Sequence, residues 1–183
     1  SPNSFTLTKD VAMTSVTPTA SGGTPTSWSI SPSLPAGLAL DTSSGAISGT
    51  PTAVSSSTVY TVTASNAGGS STATVTIQVN DVPPYSVSYS GSPFTLTKGT
   101  AMTAVTPSAS GGAVDSWTVS PTLPAGVNLD SSTGELSGTP TAIVSSTTYT
   151  ITATNTGGSS TVSVTITVND AAPAIAYSGS PFT

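Results

Sequence analysis

This chain offers few side chains for chemistry. Its charged groups are seven carboxylates (Asp10, Asp41, Asp81, Asp115, Asp130, Glu135, Asp170) and two amines, Lys9 and Lys98. It contains no His, Cys or Arg. Ordinary nucleophile–base pairs and thiolate metal sites are therefore absent. A hydrolase built on paired carboxylates needs two acids converging in a cleft, and nothing in the spacing brings Asp115 and Glu135 together. Calcium takes about six to eight oxygens. The acids that recur at a fixed interval are only Asp41 with Asp130 and Asp81 with Asp170. Asp41 and Asp81 are expected to cap turns by accepting backbone N–H bonds. The runs Asn66-Ala-Gly-Gly69 and Asn155-Thr-Gly-Gly158 are not phosphate loops, because no helix follows to aim amides at an anion. No catalytic, cofactor-binding or metal residue is assigned, and no enzyme is expected.

The fixed interval is the main organising signal. Residues 5–81 return as 94–170, so that Phe5 matches Phe94, Trp28 matches Trp117 and Tyr60 matches Tyr149, 89 positions on. A period this long is one small domain, not one solenoid turn. The chain's 183 residues suit two such domains.

Composition narrows the partners. Charged residues are 5% of the chain, against about 25% in a typical soluble domain. Net charge is −5, so no basic patch can neutralise nucleic-acid phosphates or seek an anionic membrane surface. No apolar run approaches the roughly 20 residues that span a bilayer. About two residues in five are Ser or Thr, yet the 35% hydrophobic residues alternate with them, which offsets the entropy of ordering. A cysteine-free chain of this kind fits a prokaryotic exterior, and an extracellular or cell-surface location is expected.

The positioning elements are strands. Tyr60, Val62 and Ala64 alternate with threonines, as do Ala73, Val75, Ile77 and Val79. Period two puts the first set on a buried face. Asn66–Gly69 reads as the hairpin turn between these runs, and the same hairpin runs from Tyr149 to Val168. Trp28 and Ile30 mark a central strand, Leu38–Asp41 and Ala46–Gly49 a second hairpin, and Phe5 and Leu7 an early strand. The expected core of repeat one is Trp28, Leu34, Leu38, Leu40, Ile47, Tyr60, Val62, Val75 and Ile77. Short strands with Gly/Pro punctuation and no 3.6-residue period predict an all-β chain of tandem antiparallel β-sandwiches.

The phase of the repeat divides the chain into 1–82, 83–171 and 172–183. Tyr85, Val87 and Tyr89 alternate with serines as the first strand of repeat two, and Ile175 and Tyr177 read the same way. Periods of 89 and 88 residues leave six over, Ser178–Thr183, in the register of Ser1–Thr6. Repeat one thus lacks a counterpart of Tyr85–Tyr89, while 172–183 carries a strand with no domain after it. One reading is a cut through a longer array. The other is that the overhang fills the gap in another copy by β-strand addition.

The run Leu34-Pro-Ala-Gly-Leu-x-Leu-Asp41-x-x-x-Gly45-x-Ile-Ser-Gly-Thr-Pro51 is specific. With Tyr60-Thr-Val-Thr-Ala-x-Asn66-x-Gly-Gly69 and Val79-Asn-Asp81, and their second copies, it resembles the bacterial immunoglobulin-like repeat family of the He-PIG type, kin to dystroglycan-type cadherin-like domains. The resemblance covers almost the whole chain. It implies an Ig/cadherin-like sandwich in a repetitive secreted or surface-anchored protein, without catalysis. Cadherin repeats clamp calcium at their junctions with many carboxylates. Here Asn66 and Asn155 stand where such repeats tend to carry Asp, and the glutamates are missing, which leaves a weak junction site as the alternative to turn capping. Some bacterial surface Ig-like domains also join a Lys to an Asn or Asp. Lys9 and Lys98 share parity with the inward Phe5/Leu7 and Phe94/Leu96, and Asp81 and Asp170 with the buried face of the last strand. The alternative is a strand-end Lys reaching solvent.

Sugar platforms need exposed aromatics. Trp28 and Trp117 fall on the core-facing pattern, leaving Tyr85, Tyr89 and Tyr177 as exposed candidates beside plain strand packing. The expected function is a structural module of a surface stalk or fibre whose partners are other copies or neighbouring repeats. The alternative is an adhesin module binding a host protein or glycan through its loops.

Overall fold

A computed structural model describes residues 3–175. Of the strand expected over 172–183, residues 176–183 lie outside the described ones, and 172–175 carry no strand. In chain order the strands are β1 (Asn3–Thr8), β2 (Met13–Val16), β3 (Ser27–Ser31), β4 (Leu38–Leu40), β5 (Ile47–Gly49), β6 (Ser55–Asn66) and β7 (Gly69–Asn80). There follow β8 (Tyr85–Ser88), β9 (Phe94–Thr97), β10 (Ser108–Ser110), β11 (Ser116–Ser120), β12 (Val127–Leu129), β13 (Leu136–Gly138), β14 (Val144–Asn155) and β15 (Gly158–Asn169). No helix occurs among the described residues. Two compact units result: one takes the chain to Pro83 with the turn at 155–158, the other Pro84–Thr154 and the residues from Ser159 on.

In the first unit a sheet of order β1-β7-β6-β3 packs with a three-stranded sheet, β2-β5-β4. The long hairpin β6–β7 follows from period two. Tyr60 stands opposite Val75 and Val62 opposite Ala73, while Thr61 meets Thr74 and Thr63 meets Thr72 on the other face. The second unit repeats the four-stranded sheet as β11-β14-β15-β9 and the second hairpin as β12-β13, with Val105 bridging to Leu136. It adds a pair, β8-β10.

The structure corrects three expectations. Trp28 and Trp117 lie on edge strands, since β3 and β11 each pair on one side only. The sheets are not wholly antiparallel: β1 runs parallel to β7, and β9 to β15. Alternation assigns faces but names no neighbour, so neither fact was visible in the pattern. The repeat-one core is also looser than expected. Ile47, Tyr60, Val62 and Ile77 are buried, but Trp28, Leu34, Leu38, Leu40 and Val75 are only half-buried. Val79, on the buried face by alternation but not among the expected core residues, is 1% exposed. In the second unit Leu136, Ile151, Val164, Ile166 and Val168 are fully buried, around Trp117 and Tyr149.

Candidate functional site

Of the recurring acids, Asp41 and Asp130 build turns. Asp41 Oδ1 accepts the Ser43 N–H at 2.8 Å, the Ser44 N–H at 3.0 Å and the Ser43 hydroxyl at 2.5 Å. Asp130 repeats this with Ser132 and Thr133. Asp81 and Asp170 each accept the N–H of the next residue. No group of three or more His, Cys, Asp or Glu among the described residues is placed to hold a metal ion. The Lys9 and Lys98 amides donate to the carbonyls of Asn80 and Asn169. Lys9 is half-buried, and Lys98 is exposed.

The Ser43 hydroxyl, followed by the backbone amides of Ser44 and Ser43, holds the Asp41 carboxyl at about 2, below its ordinary 3.8, and the same bonds hold Asp130 at about 2. A depressed folded value stabilises the fold above pH 3.8, and that contribution is lost as pH falls through about 2. The thermal midpoint is therefore expected to drop between pH 4 and pH 2, and to drop less in the Asp41→Asn/Asp130→Asn double variant. Identical pH profiles for the two proteins would contradict the assignment.

The two turns also set a tryptophan. Gly45 and Gly134 both sit at φ +74°. A Cβ on Gly45 would lie 2.5 Å from Cδ2 of Trp28 and 2.8 Å from Cγ of Pro18. On Gly134 the corresponding distances are 2.6 Å to Trp117 and 2.8 Å to Pro107. Only glycine permits both the close approach and the left-handed backbone. The wall of indole, glycine and proline is thus the same in both repeats.

What stands against that wall differs. In the second unit Val87 and Tyr89 fill it, at 8% and 6% exposure. The Tyr89 ring meets Trp117 edge-on, with centroids 6.4 Å apart at 76°, and its hydroxyl donates to the Gly134 carbonyl at 2.6 Å. Strand β8 pairs with β10, Ser88 opposite Ser108 and Ser110 opposite Tyr85. Tyr89 is therefore no exposed sugar platform, and this expectation is corrected. Tyr85 is exposed, at 56%. Ser86 at φ +53° and a register shift in the β8–β10 pairing break the alternation between Tyr85 and Val87. Tyr177 lies outside the described residues.

In the first unit the same place is a groove of about 330 Å³, lined among others by Phe5, Val16, Trp28, Ile47, Val62 and Val75. Their counterparts 89 positions on are Phe94, Val105, Trp117, Leu136, Ile151 and Val164. All of these pack in one cluster with Val87 and Tyr89. Accordingly Trp28, Ala64 and Val75 are half-exposed where Trp117, Ala153 and Val164 are buried. Thr19–Ser21, the counterpart of β10, carries no strand and edges the groove. The repeat register already showed Val87 and Tyr89 without counterparts in residues 1–82. It did not mark Gly45, Pro18 and Thr19–Ser21 as the wall left bare, though their recurrence at 107–110 and 134 was there to read.

Two β-sandwich repeats with a strand-shaped groove define a tandem Ig/cadherin-like module. The extracellular domains 3–5 of Drosophila OTK share the fold (TM-score 0.55, 22% identity, covering 92% of this chain and 60% of that one). So do the N-terminal eight Ig domains of Down Syndrome Cell Adhesion Molecule (TM-score 0.53, 14% identity, 92% and 25%).

The chain belongs to the family described as "Putative Ig domain", whose model matches residues 1–80 and again 78–169. Among curated relatives, the "Serine-rich adhesin for platelets" of Staphylococcus aureus strain MRSA252 is 34% identical over 167 residues, covering 88% of this chain and 12% of the adhesin. The adhesin of that name from strain MW2 is also 34% identical, and the match covers 7% of it. The chain thus spans a small part of these relatives' length. It is an extracellular, cell-surface module of a fold and family that are typically non-enzymatic.

Proposed function

We propose that the chain is a non-enzymatic structural module of a surface array whose repeats join head to tail by strand complementation. The groove of the first repeat takes the segment 172–177 of another copy, or the equivalent strand of a neighbouring repeat. One observation carries this reading: the groove occupies the place that 85–89 fills in the second repeat. Ile175 and Tyr177 match Val87 and Tyr89 in type and spacing, and Ile175 is 82% exposed. Main-chain pairing to Thr19–Ser21 would supply affinity, and the two inward side chains specificity.

The test is sedimentation of the full chain between about 1 and 100 μM, the range expected for a short strand with two apolar anchors. The chain is expected to self-associate. Deleting 172–183 is expected to leave a monomer, and so is prefixing the sequence Pro84–Tyr89 to Ser1, which fills the groove in cis in the register of the second repeat. A truncated chain that associates as the intact one does would sink the proposal.

A second reading, an adhesin module binding a host protein or glycan through its loops, is supported by the likeness to the staphylococcal adhesins. Retention of the cis-filled chain on a glycan or protein array would favour it.

A further inference from the structure

We infer that the groove of the first repeat selects its strand by a phenol, with the cleft between Trp28 and Gly45 forming a preformed tyrosine pocket. This deepens the strand-addition reading and rests on it. Three observations carry it.

The first is the occupied copy. Tyr89 is the inward residue two positions beyond Val87, its ring edge-on to the Trp117 indole and its hydroxyl on the Gly134 carbonyl. The second is the geometry of the vacant copy. Gly45 has the φ of Gly134, and its distances to the tryptophan and proline agree within a tenth of an ångström. The pocket therefore keeps its shape without the ring, so little binding energy goes into forming it. The third is the acceptor. Gly45 is buried, and its carbonyl accepts no hydrogen bond from a described residue. Gly45 lines the groove, and a carbonyl that an incoming strand covers calls for a donor. A phenol entering edge-on brings the donor at the depth where Tyr89 delivers it. Phenylalanine would fill the cleft and leave the carbonyl unpaired, whereas a shorter side chain would not reach it.

The ligand is then an extended segment with an aliphatic residue at one inward position and tyrosine at the next, as in Ile175-Ala-Tyr177. Its source here is a second copy of the chain.

The experiment compares the full chain with its Tyr177→Phe and Tyr177→Ala variants by sedimentation. Competition by the 172–180 peptide, carrying Tyr or Phe at position 177, is followed through tryptophan emission. Losing the hydroxyl alone is expected to weaken association about tenfold. Losing the ring is expected to weaken it about a hundredfold or more. Binding of the Tyr peptide is expected to shift emission to the blue, as Trp28 leaves water. Equal association by all three chains overturns the tyrosine pocket and leaves strand addition standing. A wild-type chain that stays monomeric and ignores the peptide overturns both.

Discussion

Tyr89→Ala is expected to destabilise the second repeat by about 3–5 kcal/mol, the cost of emptying a large aromatic site in a packed core. Tyr89 is 6% exposed and packs in one cluster with Trp117, Leu136 and Val164. Removing its ring forfeits the edge-to-face contact with Trp117 and the bond to the Gly134 carbonyl. The wall around Gly134 cannot close over the void, because the glycine already touches the indole and Pro107. Tyr89→Phe keeps the ring and loses the hydrogen bond, for about 1 kcal/mol. Guanidinium denaturation of the full chain measures both. An alanine variant within about 1 kcal/mol of wild type would show that β8 is not integral to the unit. Burial also pushes the Tyr89 phenol well above its ordinary 10.0. Below pH 10 both folded and unfolded forms are neutral and the stability is complete. Above it the unfolded chain ionises first, so stability falls as pH rises.

The second large effect lies on the backbone. Gly126 sits at φ +86°, and a Cβ there would run into the Thr139 carbonyl oxygen. The strands are held at that distance by Thr139 N–H donating to the Gly126 carbonyl and Thr141 N–H to that of Ala125, each at 2.8 Å. Gly126→Ala is expected to cost about 2–5 kcal/mol, from left-handed strain of about 1–3 and overpacking of similar size. Gly99→Ala is the control. Its φ is +78°, but nothing lies within 4 Å of the added carbon, so only the strain remains, about 1–3 kcal/mol. Equal losses at the two sites would mean that the crowding at Gly126 relaxes.

Much of this architecture was legible in the sequence because it is local. The β6–β7 hairpin follows from alternating Tyr60, Val62, Val75 and Ile77 about a glycine turn, and Asp41 with Ser43 and Ser44 declares its own turn. The edge position of Trp28 was not legible, because a strand's neighbours are chosen across the fold and leave no mark on its alternation. Tyr89 was misjudged for a related reason. The irregular backbone at Ser86 turns Tyr85 outward while Val87 and Tyr89 go in, so one alternating run is divided between solvent and core. The groove was legible only in part. Trp28 and Trp117 have near-identical local sequences, and their different burial is decided by Val87 and Tyr89, which pack with Trp117 and have no counterpart among the described residues of the first unit.

The parallel pairing of first and last strands has a mechanical consequence. In the first unit β1 lies beside β7 over six partners, Asn3 with Val75 through Thr8 with Asn80. Because the two run in the same direction, the chain enters the ladder at one end and leaves it at the other. A pull on the chain therefore drags β1 and β7 past each other along their length. The rungs must slip together and cannot be unzipped one by one. β9 and β15 repeat the parallel pairing from Phe94 with Ile166 to Thr97 with Asn169, but β8 stands ahead of β9 in the chain, so in the second unit a pull loads that ladder in shear only after β8 has come away from β10.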